Sequence, residues 1–206
     1  AKPAAAPREP MPATEPQFPV GQQKMNRDPE THLNKNFTFD SFVPGDSNRF
    51  ARTVALAVAE GSGQDFNPLC IYGGSGLGKT HLSLAIANVA IGRGLSVEYG
   101  TAYNILSDLQ NENFGRTGNL QYTEERVLHT DLLILDDLGT EYTSAYTVAC
   151  LYNIINTRIL CSRPTVISTN LGFDELAQKY DQRITSRIAG AYSRLVLVGN
   201  DIRYIK

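Results

Sequence analysis

The first stretch with legible chemistry is Gly73-Gly74-Ser75-Gly76-Leu77-Gly78-Lys79-Thr80, which fits the pattern G-x-x-x-x-G-K-[ST]. Its glycines let backbone N–H groups converge on phosphate oxygens, and the helix it opens adds a favourable dipole. Lys79 can reach the β- and γ-phosphates of ATP, the Thr80 hydroxyl can ligate Mg²⁺, and His81 completes the nucleotide-binding stretch. Such a loop needs a carboxylate for the metal. Leu132-Leu133-Ile134-Leu135-Asp136-Asp137 supplies one, an apolar run ending in two acids. In this reading Asp136 holds Mg²⁺ through its water shell, and Asp137 polarises the attacking water as general base.

Three further groups complete the candidate machinery. Thr165-Val166-Ile167-Ser168-Thr169-Asn170 is another apolar run ending in a polar group, and the Asn170 amide suits the γ-phosphate and the lytic water. An Asn also ends strands simply as a turn residue. Arg183 and Arg187 stand four apart on one helix face, able to point at one site. A solvated basic face and a phosphate-sensing finger offered to a neighbouring subunit both account for that pair. Arg203 is a lone charge after a strand.

The elements that must position these residues follow from periodicity and punctuation. The pattern predicts a helix over Asn48 to Glu60 with Phe50, Val54 and Ala57 on one face, a strand over Leu69 to Tyr72, and a helix over Thr80 to Arg93 capped at Gly94. A strand at Ser96 to Tyr99, helices over Ala102 to Phe114 and Glu124 to His129, and the strand Leu132 to Leu135 come next. The helix Thr147 to Leu160, the strand Thr165 to Ser168, helices Asp174 to Tyr180 and Asp181 to Ala189, and a strand Leu195 to Val198 complete the series. Strands alternating with helices imply a parallel sheet covered on both faces, an α/β three-layer sandwich. The stretch between Lys79 and Asp136 leaves room for a strand, which favours an ASCE-type P-loop sheet over a simple nucleotide kinase.

Composition bounds the rest. Of 206 residues, 42% are hydrophobic and 19% charged, enough apolar material for one domain of ordinary size, with no window of the length a membrane span needs. A formal charge of −2 decides nothing about nucleic acid, since a local basic path can hide in a balanced total. Cys70, Cys150 and Cys161 lie far apart, giving neither a zinc site nor a disulfide framework, and such usage fits a reducing cytoplasm. Cys70, inside Leu69-Cys70-Ile71-Tyr72, reads as a small buried hydrophobe. Six of the ten prolines fall in the first twenty residues, so residues 1–35 read as a disordered Pro/Ala-rich arm, with the ATPase domain over 36–206. The chain does not begin with Met, so a preceding segment is open.

Taken together these residues resemble AAA+ ATPases of the bacterial helicase loader (DnaC/DnaI) and replication initiator (DnaA) clade. Residues 36–81, with Asn36-Phe37-Thr38-Phe39-Asp40-Ser41-Phe42-Val43 and Asn67-Pro68-Leu69-Cys70-Ile71-Tyr72-Gly73-Gly74, are more similar to the initiator. Residues 131–206, with Leu135-Asp136-Asp137-Leu138-Gly139-Thr140-Glu141 and Ile167-Ser168-Thr169-Asn170-Leu171, are more similar to the loaders. The resemblance implies a five-stranded parallel sheet with the lid subdomain absent or minimal. It also implies Phe42, Val43 and Asn48 near the adenine, Asn170 as sensor 1, Arg187 as arginine finger with Arg183 beside it, and Arg203 as sensor 2. Subunits of this clade stack head to tail through the finger, with single-stranded DNA along the inner surface. That places DNA contacts on Tyr103, Phe114, Arg116 and Tyr142, although core burial is the competing reading for Tyr103 and Phe114.

The leading expectation is therefore a helicase loader: an ATPase, slow and assembly-dependent, that binds ATP-Mg²⁺ and ssDNA and helps place a replicative ring helicase. The alternatives are an initiator-like regulatory ATP-binding module, an IstB-type transposition helper ATPase, and, least favoured, a phosphoryl-transfer kinase for which no acceptor pocket is legible.

Overall fold

A computed structural model describes residues 33–45, 48–61, 66–116, 118 and 120–199. In chain order the elements are α1 (Arg49–Ala59), β1 (Leu69–Gly73), α2 (Lys79–Gly92), β2 (Val97–Thr101), α3 (Ala102–Asn113), α4 (Glu124–His129), β3 (Leu132–Leu138), α5 (Ala145–Leu160), β4 (Thr165–Thr169), α6 (Phe173–Lys179), α7 (Gln182–Ala191) and β5 (Ser193–Leu197). The strands form one five-stranded parallel sheet in the order β2-β3-β4-β1-β5. The expected α/β sandwich is thus what the chain builds, with strand ends that carry the motifs gathered along one edge.

Both faces of the sheet are covered, so the central strands are apolar on both sides rather than alternating. Leu69, Ile71, Ile134 and Val166 meet α1 and α2 through Val54, Ala55, Leu82 and Ile86. Cys70, Leu133, Leu135 and Ile167 meet α3, α5 and α7 through Ile105, Leu151, Ile155, Ile184 and Ile188. Cys70 is fully buried there, and burial pushes its thiol up to about 12, so it behaves as the small hydrophobe its surroundings suggested.

Several boundaries differ from the sequence reading. Leu33 is already buried in the core, so packing reaches further back than the composition shift. Residues 1–32, most of the Pro/Ala-rich arm, lie outside the described residues. In α1 the buried stripe is Ala51, Val54, Ala55 and Ala59, whereas Phe50 is 70% exposed. The helix is rotated so that small residues approach α2. β3 runs on to Leu138 through both acids, with an irregularity in its pairing to β4 between Leu135 and Leu138. β5 begins at Ser193, two residues before the apolar run, because Ser193 N–H donates to the Pro68 carbonyl and starts the pairing with β1.

The edge of the sheet opposite the motifs is held by Arg158 of α5, whose side chain is fully buried. Its Nε donates to Thr165 Oγ1 at 2.9 Å, its Nη1 to the carbonyls of Val127, Leu128 and Thr130 at 3.0 to 3.1 Å, and its Nη2 to the Pro164 carbonyl at 2.6 Å. One guanidinium therefore satisfies the end of α4 and the entries to β3 and β4, where backbone acceptors would otherwise be buried alone. Burial pushes its pKa down to about 10. Arg158→Met keeps the volume but strands those carbonyls, at about 1–3 kcal/mol for each one left unpaired. We expect the unfolding free energy to fall by about 3 kcal/mol or more, read from the urea midpoint. A loss below about 1 kcal/mol would mean that the carbonyls find other donors.

Candidate nucleotide site

The phosphate loop leaves β1 and turns into α2 at Gly78, whose φ of +92° is in the left-handed region. A Cβ there would also stand 2.8 Å from Phe42 Cε2, so both the backbone and the neighbour require glycine. Gly78 occupies the N-cap position and has no side chain to cover the first N–H groups of α2, which suits an anion at the helix N-terminus. Lys79 is 5% exposed and curls back over the loop, its Nζ donating to the carbonyls of Gly73 at 2.7 Å and Gly74 at 2.6 Å. Gly74 and Ser75 are exposed, and Thr80 is half-buried one residue into the helix.

Beside the loop, residues 37–45 and Asn48 form a wall. The Phe37 and Phe42 rings stand edge-on to the His81 ring, with centroids 4.9 and 5.2 Å apart, and His81 Nε2 donates to the Thr38 carbonyl at 2.8 Å. His81 is therefore committed to this wall rather than turned to the loop. Asn48, itself buried, accepts from the Gly45 N–H at 2.7 Å and donates to the Val43 carbonyl at 3.2 Å, shaping the turn that carries Val43. Phe42 is buried and Val43 is 70% exposed, so of this expected set Val43 is the side chain that faces outward.

Asp136 is 1% exposed on β3. Tyr99 of β2 donates its hydroxyl to Oδ2 at 2.8 Å, and Ser168 of β4 donates to Oδ1. The cause lies in the pleat: Tyr99 pairs with Ile134, two residues before Asp136 and on the same face, which brings its hydroxyl diagonally under the carboxylate. Burial first, and then the Asp136 charge, push the Tyr99 pKa up, which keeps it a proton donor. Sequence reasoning places Tyr99 and Ser168 only in strands and gives neither a task at the site. The only signal was a hydroxyl within each apolar strand flanking the acidic one.

Asp137 has a φ of +53°, unusual for a residue with a Cβ, and its N–H donates to Ser168 Oγ at 3.0 Å. Its carboxylate is half-buried. Its pKa is raised, by burial foremost and by the Asp136 charge next, with Lys79 pulling it part of the way back. A carboxylate with raised proton affinity is a better proton acceptor. Among the described residues no group of three or more His, Cys, Asp or Glu side chains gathers to hold a metal. Mg²⁺ keeps waters and phosphate oxygens and needs only one or two protein ligands, so a buried, pre-oriented Asp136 with the Thr80 hydroxyl fits it.

The remaining candidates divide. Asn170 is exposed just past the end of β4. Arg183 is not aimed with Arg187: its fork grips Asp181 through Nε at 3.1 Å and Nη2 at 2.9 Å, and its guanidinium lies 5.2 Å from the Tyr152 ring centroid. The shared face expected from spacing is thereby split, because Asp181 caps α7 and sits within reach of its second residue. Arg187 is exposed on the same helix. Arg203 lies outside the described residues. Tyr103, Phe114 and Tyr142 are 56, 64 and 83% exposed, which removes the core reading for the first two. Arg116 is exposed and donates to Asn111 Oδ1 at 3.5 Å.

With this geometry in hand, the chain can be compared with known proteins. The profile of the bacterial DnaA ATPase domain matches residues 33–193. The chromosomal replication initiator DnaA of Bifidobacterium animalis subsp. lactis is 73% identical over 74 residues, 36% of this chain and 13% of that protein. DnaA of Lacticaseibacillus paracasei is 34% identical over 183 residues, 87% of this chain and 40% of that protein. The chain thus spans well under half the length of these relatives. Among solved structures, replication initiator DnaA bound to AMPPCP and single-stranded DNA superposes with a TM-score of 0.70 at 28% identity, over 82% of this chain and 51% of that one. The DnaC helicase loader shares the fold, with a TM-score of 0.64 at 23% identity over 80% of this chain and 98% of the other. With a family profile running through almost every described element, from Leu33 to the start of β5, the chain belongs to the bacterial DnaA ATPase-domain family of the AAA+ clade.

Proposed function

We propose that this chain is an ATP-gated assembly module of DNA replication, which binds ATP and Mg²⁺, stacks on its own copies and holds single-stranded DNA. The observation that carries this reading is the buried Asp136 held by Tyr99 and Ser168 beside Asp137, across from a phosphate loop whose Lys79 and Thr80 open α2. The AMPPCP and single-stranded DNA bound by a similar initiator support both ligands.

Each residue has a task in this reading. The N–H groups of the loop and the Lys79 ammonium bind the phosphates, and Phe42, Val43 and Asn48 flank the base. Asp136 and Thr80 would hold Mg²⁺, which when bound neutralises charge on the β- and γ-phosphates. Asp137 accepts the proton of the attacking water, and Asn170 orients that water. Arg187, exposed on α7, completes the site of a neighbouring copy, a head-to-tail contact that builds open spirals. Arg183 acts only indirectly, through its hold on Asp181 at the start of α7.

The ATPase test uses single substitutions. Lys79→Ala abolishes tight ATP binding, Asp137→Asn keeps binding but slows turnover by about 10²-fold or more, and Arg187→Ala removes the rise of specific activity with protein concentration. Turnover that survives Lys79→Ala and Asp137→Asn would sink the reading.

DNA binding is expected on the exposed aromatics. A fluorescent oligonucleotide titration in ATP should weaken on Tyr142→Ala by about 1–3 kcal/mol, the scale of one stacked base. An unchanged curve for Tyr142→Ala, Tyr103→Ala and Phe114→Ala together would place DNA elsewhere or nowhere.

A second reading, helicase loading, rests on the loader resemblance read from the segments Leu135 to Glu141 and Ile167 to Leu171. Light scattering on the chain mixed with its host's replicative helicase in ATP and Mg²⁺ separates the two. A nucleotide-dependent complex supports loading, and none, with ATP binding intact, leaves the initiator-type module.

A further inference from the structure

The turn that follows β3 contains a buried acid that neither phosphate binding nor water activation uses. Glu141 is 4% exposed. One carboxylate oxygen accepts the Tyr180 hydroxyl, and the other accepts the Gly139 N–H at 2.9 Å. Its backbone carbonyl accepts from Lys179 Nζ at 3.1 Å. A carboxylate taken out of water is costly unless its oxygens are hydrogen-bonded, so this geometry is held rather than adopted in passing.

The two ends of the contact matter. On one side, Gly139 and Glu141 lie two and four residues past Asp137. Gly139 has a φ of +106°, and a Cβ there would stand 2.5 Å from Leu171 Cδ1, so the turn is pressed against the chain just after Asn170. Thr169 reinforces that seam, its hydroxyl donating to the Leu138 carbonyl at 2.6 Å and accepting from the Leu171 N–H at 3.1 Å. On the other side, Lys179 and Tyr180 are the last turn and C-cap of α6, immediately before Asp181, which caps α7 and grips Arg183. Burial foremost, and then the bond to Glu141, push the Tyr180 pKa up, so its hydroxyl remains a donor.

We propose that Glu141 is a positioning residue: its carboxylate fastens the turn carrying Asp137, and the seam beside Asn170, to the joint that aims α7 and Arg187. This rests on the ATPase reading above and deepens it. In a head-to-tail stack, one acid then sets both the subunit's own hydrolytic turn and the finger that the subunit presents to the next.

The test uses the whole chain with Glu141→Leu, which removes both acceptor oxygens, with Tyr180→Phe, which removes only the hydroxyl, and with both changes together. Nucleotide affinity, from a fluorescent ATP analogue, should stay within about twofold, while kcat falls by about tenfold or more, the scale of a small misplacement of a reacting group. Because both substitutions break one contact, the double variant should be little worse than the worse single one. Amide hydrogen exchange supplies a readout that does not depend on turnover. In both single variants residues 137–142 and 179–187 should lose protection together, while the β1 strand and α2 keep theirs. Unchanged kcat in a folded variant, additive losses in the double variant, or deprotection of 137–142 without 179–187 would each overturn the proposal. A wild-type chain that hydrolyses no ATP would defeat the proposed function, and the exchange comparison would still decide this one.

Discussion

The placement of the active-edge residues depends on one buried carboxylate. Asp136 sits between β2 and β4 near the exit of β3 at 1% exposure, and a bare carboxylate there would be too costly to keep. Hydroxyl donors from the strands on either side, Tyr99 and Ser168, make it tolerable. The consequence is mechanical as much as electrostatic, because β2, β3 and β4 are pinned in one register at the edge where the motifs end. Ser168 serves twice, donating to Asp136 and accepting from the Asp137 N–H, so one side chain ties both acidic positions to β4.

The opposite edge of the sheet has a counterpart of reversed charge. Arg158 collects carbonyls at the entries to β3 and β4, just as Asp136 collects hydroxyls nearer their exits. Between them the central strands carry little but aliphatic packing. The division leaves the polar work at the ends, where a parallel sheet has helix N-termini and turns to offer. The wall formed by residues 37–45 and Asn48 joins this scheme from outside, through Phe42 packed on His81 at the start of α2.

By its motifs alone the first half reads as initiator-like and the second as loader-like. A single DnaA ATPase profile nevertheless runs through both, and the loader fold superposes on the same elements. The framework is common to both kinds of protein, which leaves side chains at strand ends and on turns to tell them apart. Function in such a fold resides in those grafted sites.

Much of this was legible without coordinates. The glycine-rich loop, the acids after an apolar run and the alternation of strands and helices depend on local spacing, so Lys79, Thr80, Asp136 and Asp137 and the parallel sheet could be read directly. Exposure could not. Phe50, Tyr103 and Phe114 face outward because helix rotation is set by what packs beneath, which periodicity places only to within a residue or so. The split of Arg183 from Arg187 depended on an acid at the helix cap, and spacing says nothing of such a competitor. Tyr99, Ser168, Glu141 and Tyr180 matter through partners 30 to 40 residues away, and only the closing of the sheet brings those hydroxyls and carboxylates within hydrogen-bond reach.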